Sequence, residues 1–214
     1  MKYTGRILVV LLTLLNYGGW LIYKGSTFRN TSLILFLAYG LLQTVISWWL
    51  GFQYDKAKFY SDKDVLTKTY NRRYIYVTFP KLRLESDRNR TKLSVLLLDA
   101  DKLKEINDVY GHKMGDFAIQ HITKVLMKQI RKMDLVARWG GDEFIVIAPD
   151  TDQSTAQNLA KRIKNELRTK VLPGTNLPVS VSIGFATYPD DGQKLHELLR
   201  IADQRMYTQK KSRS

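Results

Sequence analysis

"RWGGDEFIVI", residues 138–147, sets two glycines and two adjacent carboxylates directly before a hydrophobic run. A hairpin turn needs only one pair of turn residues, and Gly140 with Gly141 supplies it, because glycine enters positive φ without steric penalty. Asp142 and Glu143 are not needed for the turn. "DLVARW" before the glycines and "EFIVIAP" after them read as paired strands, which puts both acids at the tip of a β-hairpin. Carboxylates held there can bind a metal ion.

Outward from the hairpin, the elements alternate. "KLSVLLLDAD" upstream reads as a buried strand, and "GDFAIQHITKVLMKQIRKM" carries apolar residues at helical spacing. Downstream, "STAQNLAKRIKNELRTKV" reads as an amphipathic helix opened by a Ser or Thr cap, "LPVSVSIGFATYP" as an alternating strand, and "KLHELLRIADQRMYTQKK" as a closing helix. The order βαββαβ with flanking helices predicts an α+β, ferredoxin-like sheet whose first and third strands lie side by side in the middle. That adjacency brings the end of "SVLLLDAD" next to the start of "EFIVI", so Asp99 and Asp142 can share one ion.

Hard divalent cations take oxygen ligands, and Mg²⁺ uses one or two carboxylates together with substrate phosphates. Asp99, Asp142 and Glu143 supply carboxylates, and the backbone carbonyl of Ala100 completes the set, a donor group suited to phosphoryl transfer. Between the two acid positions lies "DADKLKEINDVYGHKMGD", 99–116, polar without a single amphipathic face. Its first residues can curl backbone N–H groups around phosphates, with Lys104 adding charge. Asn107 and Asp116 offer an amide and a carboxylate that suit a purine edge, guanine favouring the carboxylate. Turn and capping chemistry for Asn107, and a helix N-terminal acid for Asp116, explain the same residues equally well.

The first quarter of the chain differs in composition. "ILVVLLTLLNYGGWLIY", 7–23, and "LILFLAYGLLQTVISWWLGF", 33–52, contain no charged residue and approach the roughly 20 apolar residues of a membrane span. The expectation is a two-helix transmembrane hairpin over 1–54, a helical linker over 55–63 and a catalytic domain over 64–214. Lys2, Arg6, Lys56, Lys58 and Lys63 outnumber Lys24 and Arg29 in the connecting loop, which favours both termini and the catalytic domain in the cytoplasm, next to membrane lipid. The connecting loop, 24–32, is too short for a separate sensor domain. The absence of cysteine fits a reducing compartment. A formal net charge of +14 invites a nucleic-acid partner, but the basic residues are scattered without aromatic interleaving or a helix-turn-helix pattern, so nucleic acid is not expected.

Five ordered motifs carry a resemblance: "DVLTKTYNRR" (64–73), "DADKLKEINDVYGHKMGD", "RWGGDEF", "VSVSIGFATYP" and "ADQRMYTQK". Along residues 62–211 the sequence resembles the GGDEF family of diguanylate cyclases. The resemblance implies condensation of two GTP molecules, one on each half of a homodimer, into cyclic di-GMP with release of two pyrophosphates. It implies Mg²⁺, with Mn²⁺ as a substitute, on Asp99, Asp142 and the Ala100 carbonyl, with Asp142 accepting the proton of the attacking 3′-hydroxyl and Glu143 supporting metal and geometry. It implies guanine recognition by Asn107, His112 and Asp116, and phosphate contacts from Lys104 and Lys210. "RKMD", 131–134, fits the family's inhibitory R-x-x-D, so Arg131 and Asp134, with Arg162, are expected to bind product.

The sequence departs from the family pattern at Leu103 and Trp139, which replace the usual aromatic and Tyr and remove no ligand. The family's closing Lys-x-x-Gly-Arg is "KKSR" here, one residue shorter and without the glycine, which puts the phosphate contact of Arg213 in question. Two other functions fit parts of the pattern: a cyclase making a cyclic mononucleotide, disfavoured by Asn107, Asp116 and "RKMD", and a tethered protein that binds GTP or cyclic di-GMP without catalysis, disfavoured by the intact "GGDEF".

Overall fold

A computed structural model of the chain describes residues 4–24, 30–169, 171–172 and 178–211. Lys2, Arg29 and Arg213, used above for orientation and phosphate contact, lie outside the described residues. The chain divides into two compact units, Met1–Ser61 and Asp62–Ser214.

The first unit is a pair of helices, α1 (Thr4–Lys24) and α2 (Asn30–Asp62). The Thr13 and Ser47 hydroxyls share a hydrogen bond of 2.7 Å between them. Both apolar stretches are helical, but among the described residues no helix is long and apolar enough to cross a membrane, so the expected transmembrane hairpin is not supported. Asn16, Gly18 and Gly19 interrupt the first stretch, and Gln43, Thr44 and Ser47 put polar groups into the second.

The second unit is built on a five-stranded sheet in the order β1-β3-β4-β2-β5. Its strands are β1 (Tyr70–Asn71), β2 (Leu93–Ala100), β3 (Leu135–Arg138), β4 (Glu143–Pro149) and β5 (Val181–Tyr188). β2 is antiparallel to both β4 and β5, β3 is antiparallel to β4, and the two-residue β1 runs parallel to β3 at the edge. The four long strands keep the expected ferredoxin-like arrangement, with the first and third in the middle; the edge strand β1 was not expected.

Helices cover both faces, which explains why β2 reads as an unbroken apolar run rather than an alternating one. Leu96, Leu98, Phe144, Val146 and Ile183 pack on one face with residues of α5 (His112–Gln129) and α6 (Gln153–Arg168), such as Ile122, Leu126 and Ile163. Val95, Leu97, Ile145 and Ile147 pack on the other with α3 (Arg72–Asn89) and α7 (Leu195–Lys211) through Ile75, Phe79, Leu198 and Met206. The period of two along each strand sends neighbouring residues to opposite cores.

Two local expectations change. The cap of α6 is Asp152 rather than Ser or Thr, its carboxylate accepting from the Thr155 N–H at 2.8 Å. The polar stretch after β2 contains a separate helix, α4 (Leu103–Tyr110), and α5 then starts at His112, because Gly111 at φ 82° breaks the chain direction between them.

Candidate active site

The central strands deliver the two acid positions to one end of the sheet. Asp99 is in register with Glu143, and the Ala100 N–H donates to the Asp142 carbonyl at 3.0 Å, so Asp99, Ala100, Asp142 and Glu143 occupy adjoining backbone. The glycine turn that holds Asp142 is tightly determined. Trp139 and Gly140 both donate their N–H to the Glu143 carbonyl, at 2.8 and 3.3 Å. A Cβ at Gly140 would stand 2.8 Å from a Glu143 carboxylate oxygen, which places the Glu143 side chain folded back over the turn.

Burial pushes the Glu143 carboxyl above the ordinary carboxylate range, and the charges of Asp142, Asp99 and Asp203 push it the same way, while Arg72 opposes them. An acidic field of this kind, made of hard oxygen donors, fits a divalent cation. Among the described residues no three His, Cys, Asp or Glu side chains converge as a metal cluster; Mg²⁺ characteristically takes only one or two carboxylates together with substrate phosphates. Lys210, on α7, donates to Asp99 Oδ1 at 2.7 Å. The lysine expected at phosphate thus bonds an acid expected to hold the cation.

Several groups around the turn were not singled out by sequence. Arg138 donates through Nε and Nη2 to the Gly141 carbonyl, at 3.2 and 2.7 Å, and through Nη1 to Asp64 at 3.4 Å. Asp64 also accepts from the Thr67 N–H and hydroxyl at 2.8 and 2.7 Å; burial works against its charge, but these bonds and Arg138 hold it below its usual range. The "DVLT" motif is therefore fastened to the glycine turn. Arg72 lies over the Trp139 ring, 4.6 Å from its centroid, which explains why an aromatic other than Tyr serves at that position. The carboxylate of Asp203 is contributed by α7, more than fifty residues beyond the hairpin, with no pattern in sequence to link them.

The guanine candidates gather at the α4–α5 corner. A Cβ at Gly115 would lie 1.9 Å from Asn107 Oδ1, so the Asn107 side chain rests directly on the backbone of α5, one residue from Asp116. His112, first residue of α5, is exposed and so is not a packing residue; Asp116 and Lys104 are exposed as well.

"RKMD" forms a turn of its own. The Arg131 N–H donates to Asp134 Oδ2 at 2.7 Å, and Asp134 Oδ1 is buried with no hydrogen-bond partner among the described residues. Burial pushes the Asp134 carboxyl up, while the Arg131 N–H and the charges of Arg131 and Arg162 pull it back. Arg162 Nη2 donates to the Gln129 carbonyl at 2.5 Å, at the end of α5 that leads into this turn.

Fold and site together define a palm-like α+β domain with acids paired across its central strands. The family described as "Diguanylate cyclase, GGDEF domain" matches residues 61–214, and the chain belongs to that family. It is 36% identical over 152 residues to "Diguanylate cyclase DosC" of Escherichia coli K12, a match covering 69% of this chain and 33% of DosC, so the chain spans about a third of that relative's length. Among solved structures it resembles the GGDEF domain of TpbB from Pseudomonas aeruginosa, with TM-score 0.67 and 35% identity over 70% of this chain and 89% of that one. It also resembles the GGDEF domain of DgcB from Caulobacter crescentus in complex with c-di-GMP, with TM-score 0.65 and 28% identity over 71% and 89% of the two chains.

Proposed function

We propose that the chain is a diguanylate cyclase, joining two GTP molecules into cyclic di-GMP with release of two pyrophosphates. The observation that carries this reading is the adjacency of Asp99, Ala100 and Asp142 across β2 and β4, within an intact family motif. Asp99, Asp142 and the Ala100 carbonyl would hold Mg²⁺, or Mn²⁺ in its place. When bound, the cation stabilises the attacking and departing oxygens of the phosphoryl transfer.

The chain's own residues do the rest. Asp142 accepts the proton of the 3′-hydroxyl, and Glu143, held over Gly140, maintains the geometry of the turn. The start of α4 and Lys104 bind phosphates, and Lys210 exchanges its bond to Asp99 for the incoming triphosphate. Asn107, His112 and Asp116 recognise guanine. Positioning and electrostatics supply most of the acceleration in phosphoryl transfer, which suits a site with so little mobile machinery. Each chain carries one half of the reaction, so a homodimer is the working form.

Inhibition by product is part of the same proposal. The buried, unpartnered Oδ1 of Asp134 beside Arg131 supports a second site for cyclic di-GMP. Replacing Arg131 by Ala is expected to preserve turnover while abolishing slowing by added product. The N-terminal helices are proposed to attach the protein to the cytoplasmic side of a membrane, a reading supported by large exposed apolar residues such as Leu15, Leu41, Trp48 and Trp49.

The deciding experiment incubates purified protein with GTP and Mg²⁺ beside an Asp142→Ala control and resolves the nucleotides chromatographically. Cyclic di-GMP from the wild type and none from the control is expected. Absence of cyclic product from the wild type, or equal yield from both, rejects the reading.

A further inference from the structure

Asp101 is the second acid of "DAD", two residues after Asp99. In a continuing strand that spacing would put both carboxylates on one face, as paired ligands. The strand ends at Ala100, and Asp101 turns to β5 instead. Its Oδ2 accepts from the Ser180 hydroxyl at 2.8 Å and its Oδ1 from the Ser182 hydroxyl at 2.6 Å, while its N–H donates to the Ser180 carbonyl at 3.0 Å. Ser182 is 3% exposed and lies in register with Asp99, so the anchor is rigid.

The consequences fall on the residues that follow. Ala100 is bonded to the Asp142 carbonyl on the β4 side and Asp101 to Ser180 on the β5 side, which fixes the peptide group between them. Lys102 then takes a left-handed conformation, φ 58° and ψ 24°, which a side-chain-bearing residue adopts only when its surroundings enforce it. Immediately afterwards α4 begins, without a side-chain cap, leaving its first-turn N–H groups available to an anion.

We propose that Asp101 is a positioning residue: clamped by Ser180 and Ser182, it sets the direction of the 100–104 loop and so aims the first N–H groups of α4 at the phosphates of the nucleotide. This rests on GTP being the substrate. Hydrogen bonds to a carboxylate are stronger than neutral ones, so two of them can hold a loop whose backbone conformation is unfavourable by itself.

The test uses the full chain and reads binding separately from turnover. Asp101→Ala, the paired Ser180→Ala/Ser182→Ala variant, their combination, and Ser180→Thr are compared with wild type. Calorimetry measures a non-hydrolysable GTP analogue, steady-state kinetics measure KM and kcat, and thermal unfolding monitors the fold. Asp101→Ala is expected to weaken the analogue and raise KM by about 10- to 100-fold, the range for losing a group that orients a ligand-binding residue, with kcat affected much less. The serine pair should do the same, the combination should add little, and Ser180→Thr, which keeps the hydroxyl, should bind like wild type.

Unchanged analogue affinity in Asp101→Ala, or additive losses in the combination, overturns the proposal. If Asp101→Ala does not fold, the Ser180→Ala/Ser182→Ala pair decides: lower affinity with a cooperative melt supports the clamp, and wild-type affinity overturns it. A wild type that binds the analogue yet forms no cyclic dinucleotide overturns the assigned reaction, while the binding comparison still judges the clamp.

Discussion

A methyl group added at Gly115 would stand 1.9 Å from Asn107 Oδ1, far inside any permitted contact. Gly115→Ala should therefore displace the Asn107 side chain, while alanine's better helix propensity offsets part of the strain in stability. On the proposed role of Asn107 in guanine recognition, that displacement is expected to weaken GTP by about tenfold, the cost of one hydrogen bond. ATP, which does not use that bond, should bind as before, so competition between the two nucleotides measures the narrowing; unchanged preference would remove Asn107 from guanine recognition. Asp191 illustrates a structural carboxylate on the same scale. Burial raises its pKa, but two Arg205 bonds of 2.7 Å and the Thr187 N–H at 2.8 Å outweigh that and hold it below its usual value. A depressed folded pKa contributes stability that is present above the unfolded value of about 4 and lost as pH falls through the folded one. Asp191→Asn should lower stability by about 1–2 kcal/mol at pH 7, with the gap to wild type closing below pH ~4, as read by urea denaturation. Asp99 and Asp142 were legible in sequence because each abuts a hydrophobic run that fixes its place at or beside a strand end. Asp64 with Arg138, and Asp203 near Glu143, were not, because their meeting depends on contacts across 74 residues in one case and on a helix packed from the far end of the domain in the other.

Elements were legible where burial imposes a period. β2, β4, β5 and α7 follow from apolar runs and helical spacing, and their pairing from the βαββαβ order. What sequence could not supply was the corner at Gly111, since "DADKLKEINDVYGHKMGD" serves ligand contacts and turn geometry at once and shows no clean period. The distance between elements was equally hidden. A Cβ at Gly184, on β5, would lie 1.9 Å from the Ala202 carbonyl and 2.6 Å from the Met206 N–H nitrogen, so α7 rests on the sheet with no room for a side chain. Because α7 also carries Lys210 to Asp99, this contact ties core packing to the site. Gly184→Ala must push helix and strand backbone apart, and overpacking of that kind destabilises by about 1–3 kcal/mol. A lowered melting temperature together with reduced affinity for the GTP analogue is the expected pair of results. A variant that melts lower but binds normally would separate α7 packing from the site.

At the level of the whole molecule, sequence located the change from apolar helices to a mixed sheet, and the two compact units meet at Ser61 and Asp62, beside that change. Uncharged length suggested membrane spans, but among the described residues no helix is long and apolar enough to cross a membrane. Both hydrophobic cores draw on residues from Leu66 onward, so the second unit holds its own core. A fragment of residues 62–214 is therefore expected to unfold cooperatively by itself and to bind the GTP analogue with wild-type affinity. Its turnover should behave differently. Joining two nucleotides held on separate chains requires an encounter, and an N-terminal unit that keeps two copies together converts that encounter into a local one with an effective concentration set by the tether. Specific activity of the fragment should fall steeply as the protein is diluted, while that of the full chain stays level over the same range. Equal dilution profiles would show that the helices do not bring copies together, and a fragment that fails to bind nucleotide would show that the second unit depends on the first for its fold.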